Sequence, residues 1–233
     1  MEAETLDLPE LARFLQRDLR DLEKLAARGR LPGRRVGGRW TVHRSELHSW
    51  LEQSIPDLDD PQLAQVEEAV ASTQDEAPLL AKLIRPEFVS LELPGRTAPG
   101  VLASLVDLAN ATWQVYDPGL VLAAIRDREA ASSTAQSGGV AVPHPAKRLP
   151  ELIGDSILAF GRTSSGIPFG GPDGELTDLF FLVLAPDDHT HLHTLARLAR
   201  LFLRPGFLDN LRAQESPAAV VDYLSTCESE IVE

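Results

Sequence analysis

The chain is short of sulfur, with one cysteine and one methionine in 233 residues, and of aromatic residues, which make up 6%. A lone Cys227 rules out an internal disulfide and any cysteine-based zinc site, so a reducing cytoplasm is the expected compartment. No apolar run approaches the roughly 20 residues needed to cross a bilayer, and the longest is Leu179 to Ala185, so no membrane insertion is expected. No secretory signal is expected either, since Met1-Glu2-Ala3-Glu4 is acidic with no apolar stretch behind it. The glycine-rich "FGRTSSGIPFGGPDG" at 160–174 lacks a Walker lysine and Gly-x-Gly-x-x-Gly spacing, and reads as loops around a strand rather than a nucleotide cradle. His189 and His193 would stand one helical turn apart, but no cysteine completes a ligand set; neither a metal nor a cofactor is expected.

Positive charge is scarce over most of the chain but not at its start. The net charge is −13, yet residues 1–54 carry ten Lys/Arg against nine Asp/Glu. Within them, residues 28 to 44 hold six arginines and no acid. The pattern is a small basic module on an acidic body that by itself would repel nucleic acid.

The module is well punctuated. Asp7 can cap a helix with Leu8, Leu11, Ala12 and Leu15 on one face. After a break near Gln16-Arg17, Leu19, Leu22, Leu25 and Ala26 mark a second helix, which Gly29 ends. Val36-Gly37-Gly38-Arg39-Trp40 is a hairpin signal, and Ser45 with Leu47, Trp50 and Leu51 reads as a closing helix. Through "LARFL", "ARGRLPGRRVGGRW" and "HRSELHSWL" this segment resembles the excisionase and MerR-like winged helix-turn-helix DNA-binding modules. The resemblance implies that the second helix enters the major groove, with Arg17, Arg20 and Lys24 facing it. Arg34, Arg35 and Arg39 of the wing would meet phosphates. Asp18, Asp21 and Glu23 on the same helix oppose that attraction, and a lone copy has few phosphate contacts, so useful affinity calls for a homodimer.

A proline- and acid-rich break at 55–61 opens a connector with helical spacing at Leu63, Val66 and Ala69-Val70 and again at Leu79-Leu80 and Leu83-Ile84. From Phe88 onward strands and helices alternate. Strands are expected at Phe88–Leu93, Val140–Val142, Ile157–Phe160 and Leu179–Leu184. Helices are expected at Gly100–Ala109, Pro118–Arg128, 190–204 and 216–226. The expected fold is α/β, a mixed sheet covered by helices, with the small winged module in front. The expected division is 1–54 module, 55–85 connector, 86–233 body.

Inside the body, "GGVAVPHPAK" at 138–147 spends two glycines and two prolines on the placement of one imidazole, His144. With "REAASSTAQSGGVAVPH" before it and "DLFFLVLAPDDHTHLHTLARLA" after it, the body resembles the fructose/mannitol and nitrogen-regulatory type of enzyme IIA of the bacterial phosphotransferase system. The resemblance covers about 88–226. It implies that His144 accepts a phosphoryl group, with Arg128 near that group, His191 donating a hydrogen bond to it and the Thr134 hydroxyl as a lesser contact. A neutral imidazole is a competent nucleophile, its reference pKa being about 6.5, and positioned cations and donors supply most of the catalysis of phosphoryl transfer. The family commonly has glycine after the histidine; Pro145 here removes a backbone donor. The implied donor is a histidine-containing phosphocarrier protein, and the implied activity is that of a phosphoryl carrier rather than a turnover enzyme. The reading requires the rings of His144 and His191 to be close, and His144 to be reachable rather than sealed in a dry interior.

Three functions stay open. The chain is a regulator that couples phosphorylation of His144 to DNA binding, a carrier serving a separate sugar permease, or a protein-binding regulator whose N-terminal module does not touch DNA.

Overall fold

The computed structural model describes residues 5–15, 17–70 and 79–232. The acidic first four residues, Gln16 of the expected break, and 71–78 of the connector lie outside them.

Asp7 and Glu10 start the first helix by exchanging hydrogen bonds of 2.9 Å, each carboxylate accepting from the other's backbone N–H. The N-terminal module then runs β1 (Thr5–Asp7), α1 (Leu8–Phe14), α2 (Leu19–Ala27), β2 (Arg34–Val36), β3 (Arg39–His43) and α3 (Arg44–Ser54). Asp18 caps α2 through the backbone N–H of Arg20, and Gly29 leaves it at φ +66°. Gly37 and Gly38, both at positive φ, turn the antiparallel β2–β3 hairpin, and β1 adds to its other edge in the order β1-β3-β2.

The connector supplies α4 (Asp60–Val70) and the short α5 (Leu80–Leu83). The body is a five-stranded mixed sheet ordered β4-β7-β8-β6-β5, from β4 (Val89–Ser90), β5 (Ala135–Gln136), β6 (Val140–Ala141), β7 (Ile157–Ile167) and β8 (Thr177–Leu184). Around it lie α6 (Ala98–Ala109), α7 (Pro118–Ala131), α8 (Asp188–Phe202), α9 (Phe207–Arg212) and α10 (Pro217–Val232). Strand alternation divides the interior. Leu179, Phe181 and Val183 of β8 point to a core shared with α8, α9 and α10, whereas Phe180, Leu182 and Leu184 point to one shared with α6 and α7. The first core does not stop at the body: Leu11, Leu22, Leu47 and Leu51 of the module and Leu63 and Val66 of α4 belong to it together with Leu195 and Leu198 of α8.

Several elements depart from expectation. Pro86 imposes a single turn of 3-10 helix over Pro86–Phe88, so the first body strand shrinks to Val89–Ser90, although the N–H of Leu93 still bonds the carbonyl of Arg162. Strand β7, expected to end at Phe160, runs through to Ile167 and takes in half of the glycine-rich stretch. Helix α9 follows Gly206 and is too short, at six residues, to announce itself by periodicity. The three-residue β1 escaped notice for the same reason. Leu19, expected on the buried stripe of α2, is exposed. Among the described residues, no helix is long and apolar enough to cross a membrane.

Candidate functional site

The two glycines of "GGVAVPHP" are the turn of a hairpin. Gly138 and Gly139 have φ of +88° and +75°, and the turn pairs β5 with β6 so that Ala135 faces Ala141. Space is tight there as well: a Cβ on Gly138 would displace a Leu208 methyl group at 2.6 Å, and one on Gly139 would lie 3.1 Å from the Leu176 carbonyl oxygen. Strand β6 is buried and lies parallel to β8, and the Pro143 carbonyl extends the register by accepting the Val183 N–H at 3.0 Å. His144 thus leaves the sheet at a fixed point.

Its ring is oriented by its own backbone. Nδ1 lies 2.7 Å from the carbonyl oxygen of Val142. A carbonyl only accepts, so Nδ1 carries a proton and Nε2 is the nitrogen presented to the site. The ring of His191, in the first turn of α8, meets it edge to face with centroids 5.0 Å apart. Arg128 arrives from the last turn of α7, and its Nη1 is tied to the Ser132 carbonyl at 2.8 Å. Arg128, His144 and His191, expected to converge, do converge.

The fourth expected residue plays a more indirect part. The Thr134 hydroxyl donates to Glu129 Oε2 at 2.7 Å, and its backbone N–H donates to Oε1 of the same carboxylate at 2.8 Å. Ser133 Oγ also lies 2.7 Å from Glu129 Oε1. Glu129 therefore gathers the Ser-Thr pair beneath the site, and Thr134 and His144 line the same small cavity of about 160 Å³.

Two groups in the site were not expected. Arg148 is half-buried, with Nη2 donating to the Pro145 carbonyl at 2.8 Å and Nε 3.5 Å from Asp188 Oδ1. Pro145 thus contributes an acceptor where it removed a donor. The adjacent basic pair Lys147-Arg148, so soon after His144, was the signal available in the sequence. Burial lowers the pKa of Arg148, and the carboxylates of Glu52, Asp188 and Asp187 push it back up.

The other group comes from the N-terminal module. Glu52, on the last turn of α3, puts its carboxylate between the two histidines: Oε1 is 2.9 Å from His144 Nε2 and 3.1 Å from Arg128 Nε, and Oε2 is 3.3 Å from His191 Nε2 and 3.6 Å from Arg148. Burial opposes its ionisation, but hydrogen bonds from His144 and His191 outweigh it and hold the carboxyl well below the usual carboxylate range. His191 is wholly enclosed, and burial pushes its pKa down to about 3, against the pull of Glu52. It therefore serves as a neutral donor through Nε2. One turn earlier on α3, His48 Nδ1 lies 2.8 Å from Asp188 Oδ2. No motif in the module pointed to Glu52; its only mark is the i,i+4 spacing from His48 on one helix face.

The expectation that His144 is reachable is thereby corrected. Its ring is only 5% exposed, because Glu52 covers it. The cover is a charged side chain from a separate element rather than apolar core, and a crevice of about 770 Å³ between module and body runs alongside it, lined by Arg30, His48, Glu52, Arg148 and His191 among others.

Among the described residues, Glu52, His144 and His191 bring one ligand atom each within 4.8 Å of one another, close enough to share a metal ion. Two guanidinium groups against the same carboxylate oxygens make an anion the better guest than a second cation.

The basic residues expected to meet DNA are arranged elsewhere on the module. Arg20 and Lys24 on α2 and Arg34, Arg35 and Arg39 on the hairpin are exposed, and Arg17 is half-buried. Lys24 pairs with Asp21 at 2.8 Å, a surface pair of little energetic consequence.

Residues 82–227 match the family described as phosphoenolpyruvate-dependent sugar phosphotransferase system, EIIA 2. The chain belongs to this family. Residues 5–54 match a helix-turn-helix domain. A nitrogen regulatory protein of Bradyrhizobium diazoefficiens is 37% identical over 63% of this chain and 94% of its own length. The fructose-specific EIIABC component of Bacillus subtilis is 28% identical over 63% of this chain, which spans only 23% of that longer protein. Among solved structures, nitrogen regulatory protein IIA-Ntr of Neisseria meningitidis superposes with a TM-score of 0.57 at 24% identity, over 63% of this chain and 99% of its own. IIA mannitol of Escherichia coli does so with 0.53 at 18%, over 60% of this chain and 98% of its own. These likenesses carry the EIIA 2 fold, and Glu52 lies outside the residues 82–227 that match that family.

Proposed function

We propose that this EIIA 2 protein accepts a phosphoryl group on Nε2 of His144 from a histidine phosphocarrier, and that its helix-turn-helix module makes it a regulator responsive to that group. One observation carries the reading: Nδ1 is committed to the Val142 carbonyl, while Nε2 faces the Glu52 carboxylate, an anion that His191, Arg128 and Arg148 also hold.

In the transfer, the Nε2 lone pair of neutral His144 attacks the phosphorus of the donor's phosphohistidine. An N–P bond forms here as the donor's N–P bond breaks, and the departing pair returns to the donor ring. Each imidazole keeps one proton, that of His144 on Nδ1 and that of the donor on its other nitrogen. Charge on the equatorial oxygens is met by the Nε2–H of His191 and by the guanidinium groups of Arg128 and Arg148. The Val142 carbonyl stabilises the positive charge that the ring gains when Nε2 bonds phosphorus.

Regulation is favoured over carriage for a separate permease by the module itself, whose exposed wing arginines suit a phosphate backbone. The test has two arms. Incubation with a phosphorylated histidine carrier, followed by intact mass at alkaline pH, is expected to add one phosphoryl group, and none in His144→Ala; label retained by that variant removes His144 from the role. Titration with duplex DNA at two salt concentrations is expected to show affinity falling steeply with salt, and to lose most of that slope in an Arg34→Ala/Arg35→Ala/Arg39→Ala variant. Salt-independent or absent binding leaves a protein-binding regulator.

A further inference from the structure

We infer that Glu52 is an internal stand-in for the phosphoryl group: the N-terminal module docks by inserting this carboxylate into the acceptor site, so that docking and phosphorylation of His144 exclude one another. The inference rests on His144 as the acceptor.

Glu52 takes up the same groups that a phosphoryl oxygen would need. Its two oxygens engage His144 Nε2, His191 Nε2, Arg128 Nε and Arg148 within 3.6 Å. Because Nδ1 already donates to Val142, a hydrogen bond from Nε2 to the carboxylate needs a proton there as well, and the lone pair that would attack phosphorus is consumed. The covering side chain also fills the line of approach. Docking thus withholds both the nucleophile and the space in front of it.

The fit to Glu52 is incomplete in a telling way. Arg148 Nε and Nη1 are buried without a hydrogen-bond partner, Nε having only the 3.5 Å approach of Asp188. A carboxylate has two oxygens and one charge; a phosphoryl group has three oxygens and close to two charges. The site holds more donor capacity than its present occupant uses.

Once His144 is phosphorylated, a carboxylate held in the same enclosure would face a dianion a few ångströms away, an arrangement strongly unfavourable where water is excluded. Glu52 therefore leaves before the transfer, His144 Nε2 giving up its extra proton to water, and phosphorylation then keeps it out, so that α3 loses its contact with His191 of α8. What remains between the two helices is the pair of His48 and Asp188, at the more exposed edge, and the apolar core they share. The coupling is reciprocal: whatever draws the module away from the body, such as its own ligand, opens His144 to the donor.

The test uses the full chain and potassium phosphoramidate, a small phosphoryl donor that needs no protein docking. The rate of phosphoryl gain is measured for wild type and Glu52→Gln, which keeps size and removes the charge. The variant is expected to react roughly ten- to a hundredfold faster, the range for losing a hydrogen bond to a charged group. Equal rates overturn the inference and leave the acceptor reading intact; no phosphoryl on His144 in either protein overturns both. A second measurement needs no variant: hydrogen exchange at residues 44–54 of wild type is expected to quicken on phosphorylation, and unchanged protection overturns the inference.

Discussion

Helix α8 faces two buried acidic clusters, and they are built to opposite ends. Toward its C-terminal half, Arg197 donates to Glu67 and to Glu228 at 2.7 Å, and Arg200 Nη1 reaches the other Glu67 oxygen at 2.7 Å. Glu228 also accepts the backbone N–H groups of Leu79, Leu80 and Ala81, which ties α10 to the start of α5. That cluster joins the connector, α8 and α10, and the hydrogen bonds of its carboxylates are made within the chain. At the N-terminal end of the same helix, Glu52 meets two histidines and two arginines, and donors are left over. A satisfied buried network holds a fold together, whereas one with donors to spare is matched to another guest.

The comparison can be broken by substitution. Glu228→Ala is expected to cost about 3–5 kcal/mol, since it leaves Arg197 buried without a full partner, and to lower the midpoint of thermal unfolding by roughly 10 °C. Its initial rate of phosphoryl uptake, measured well below that midpoint, should stay at the wild-type value. A large change in rate with little loss of stability would make the two clusters alike. Glu52→Gln should instead destabilise by only about 1–2 kcal/mol, because the arginines it frees lie beside the crevice between module and body. Chemical denaturation of the two variants side by side measures the contrast.

His191 sharpens it from the chemical side. His191→Ala is expected to slow uptake on the order of a hundredfold, the typical loss for one donor aimed at developing oxygen charge, and His191→Gln to restore part of the rate. An alanine variant at the wild-type rate would confine His191 to packing.

The last effect is a pH slope. With its pKa pushed down to about 3, the enclosed His191 refuses a proton that the unfolded chain accepts from about 6.5 downward. Its contribution is therefore complete above that value and lost as pH falls toward 3, by at most about 1.4 kcal/mol per pH unit. Glu52, also depressed, works in the same direction at the lower end of the window. Around these two groups stand His144, Arg128 and Arg148. Urea unfolding between pH 7 and pH 4 is expected to show a steeper loss in wild type than in His191→Gln; parallel slopes would place the titration elsewhere.

The sequence made most of this architecture legible wherever a local rule applied. Asp7, Gly29 and Gly37-Gly38 punctuated the module, alternation marked β8, and Gly138 to His144 displayed a turn, a strand and an oriented ring. Elements of a few residues, such as β1 and α9, carry too little pattern to register. The site divided in the same way. Arg128, His144 and His191 lie in segments whose spacing carries a family signature, and they met as expected. Glu52 lies 92 residues from His144, on a helix whose local pattern accounts fully for its folding. Only tertiary packing brings its carboxylate to the imidazole, and tertiary packing also hides the nucleophile that the sequence left open.

The most direct test is to transfer phosphate to protein carrying ¹⁵N-labelled histidine and to read which ring nitrogen acquires it by NMR. Phosphorus is expected on Nε2 of His144, with Nδ1 still protonated against the Val142 carbonyl. Phosphorus on Nδ1 of that ring, or on His191, would contradict it.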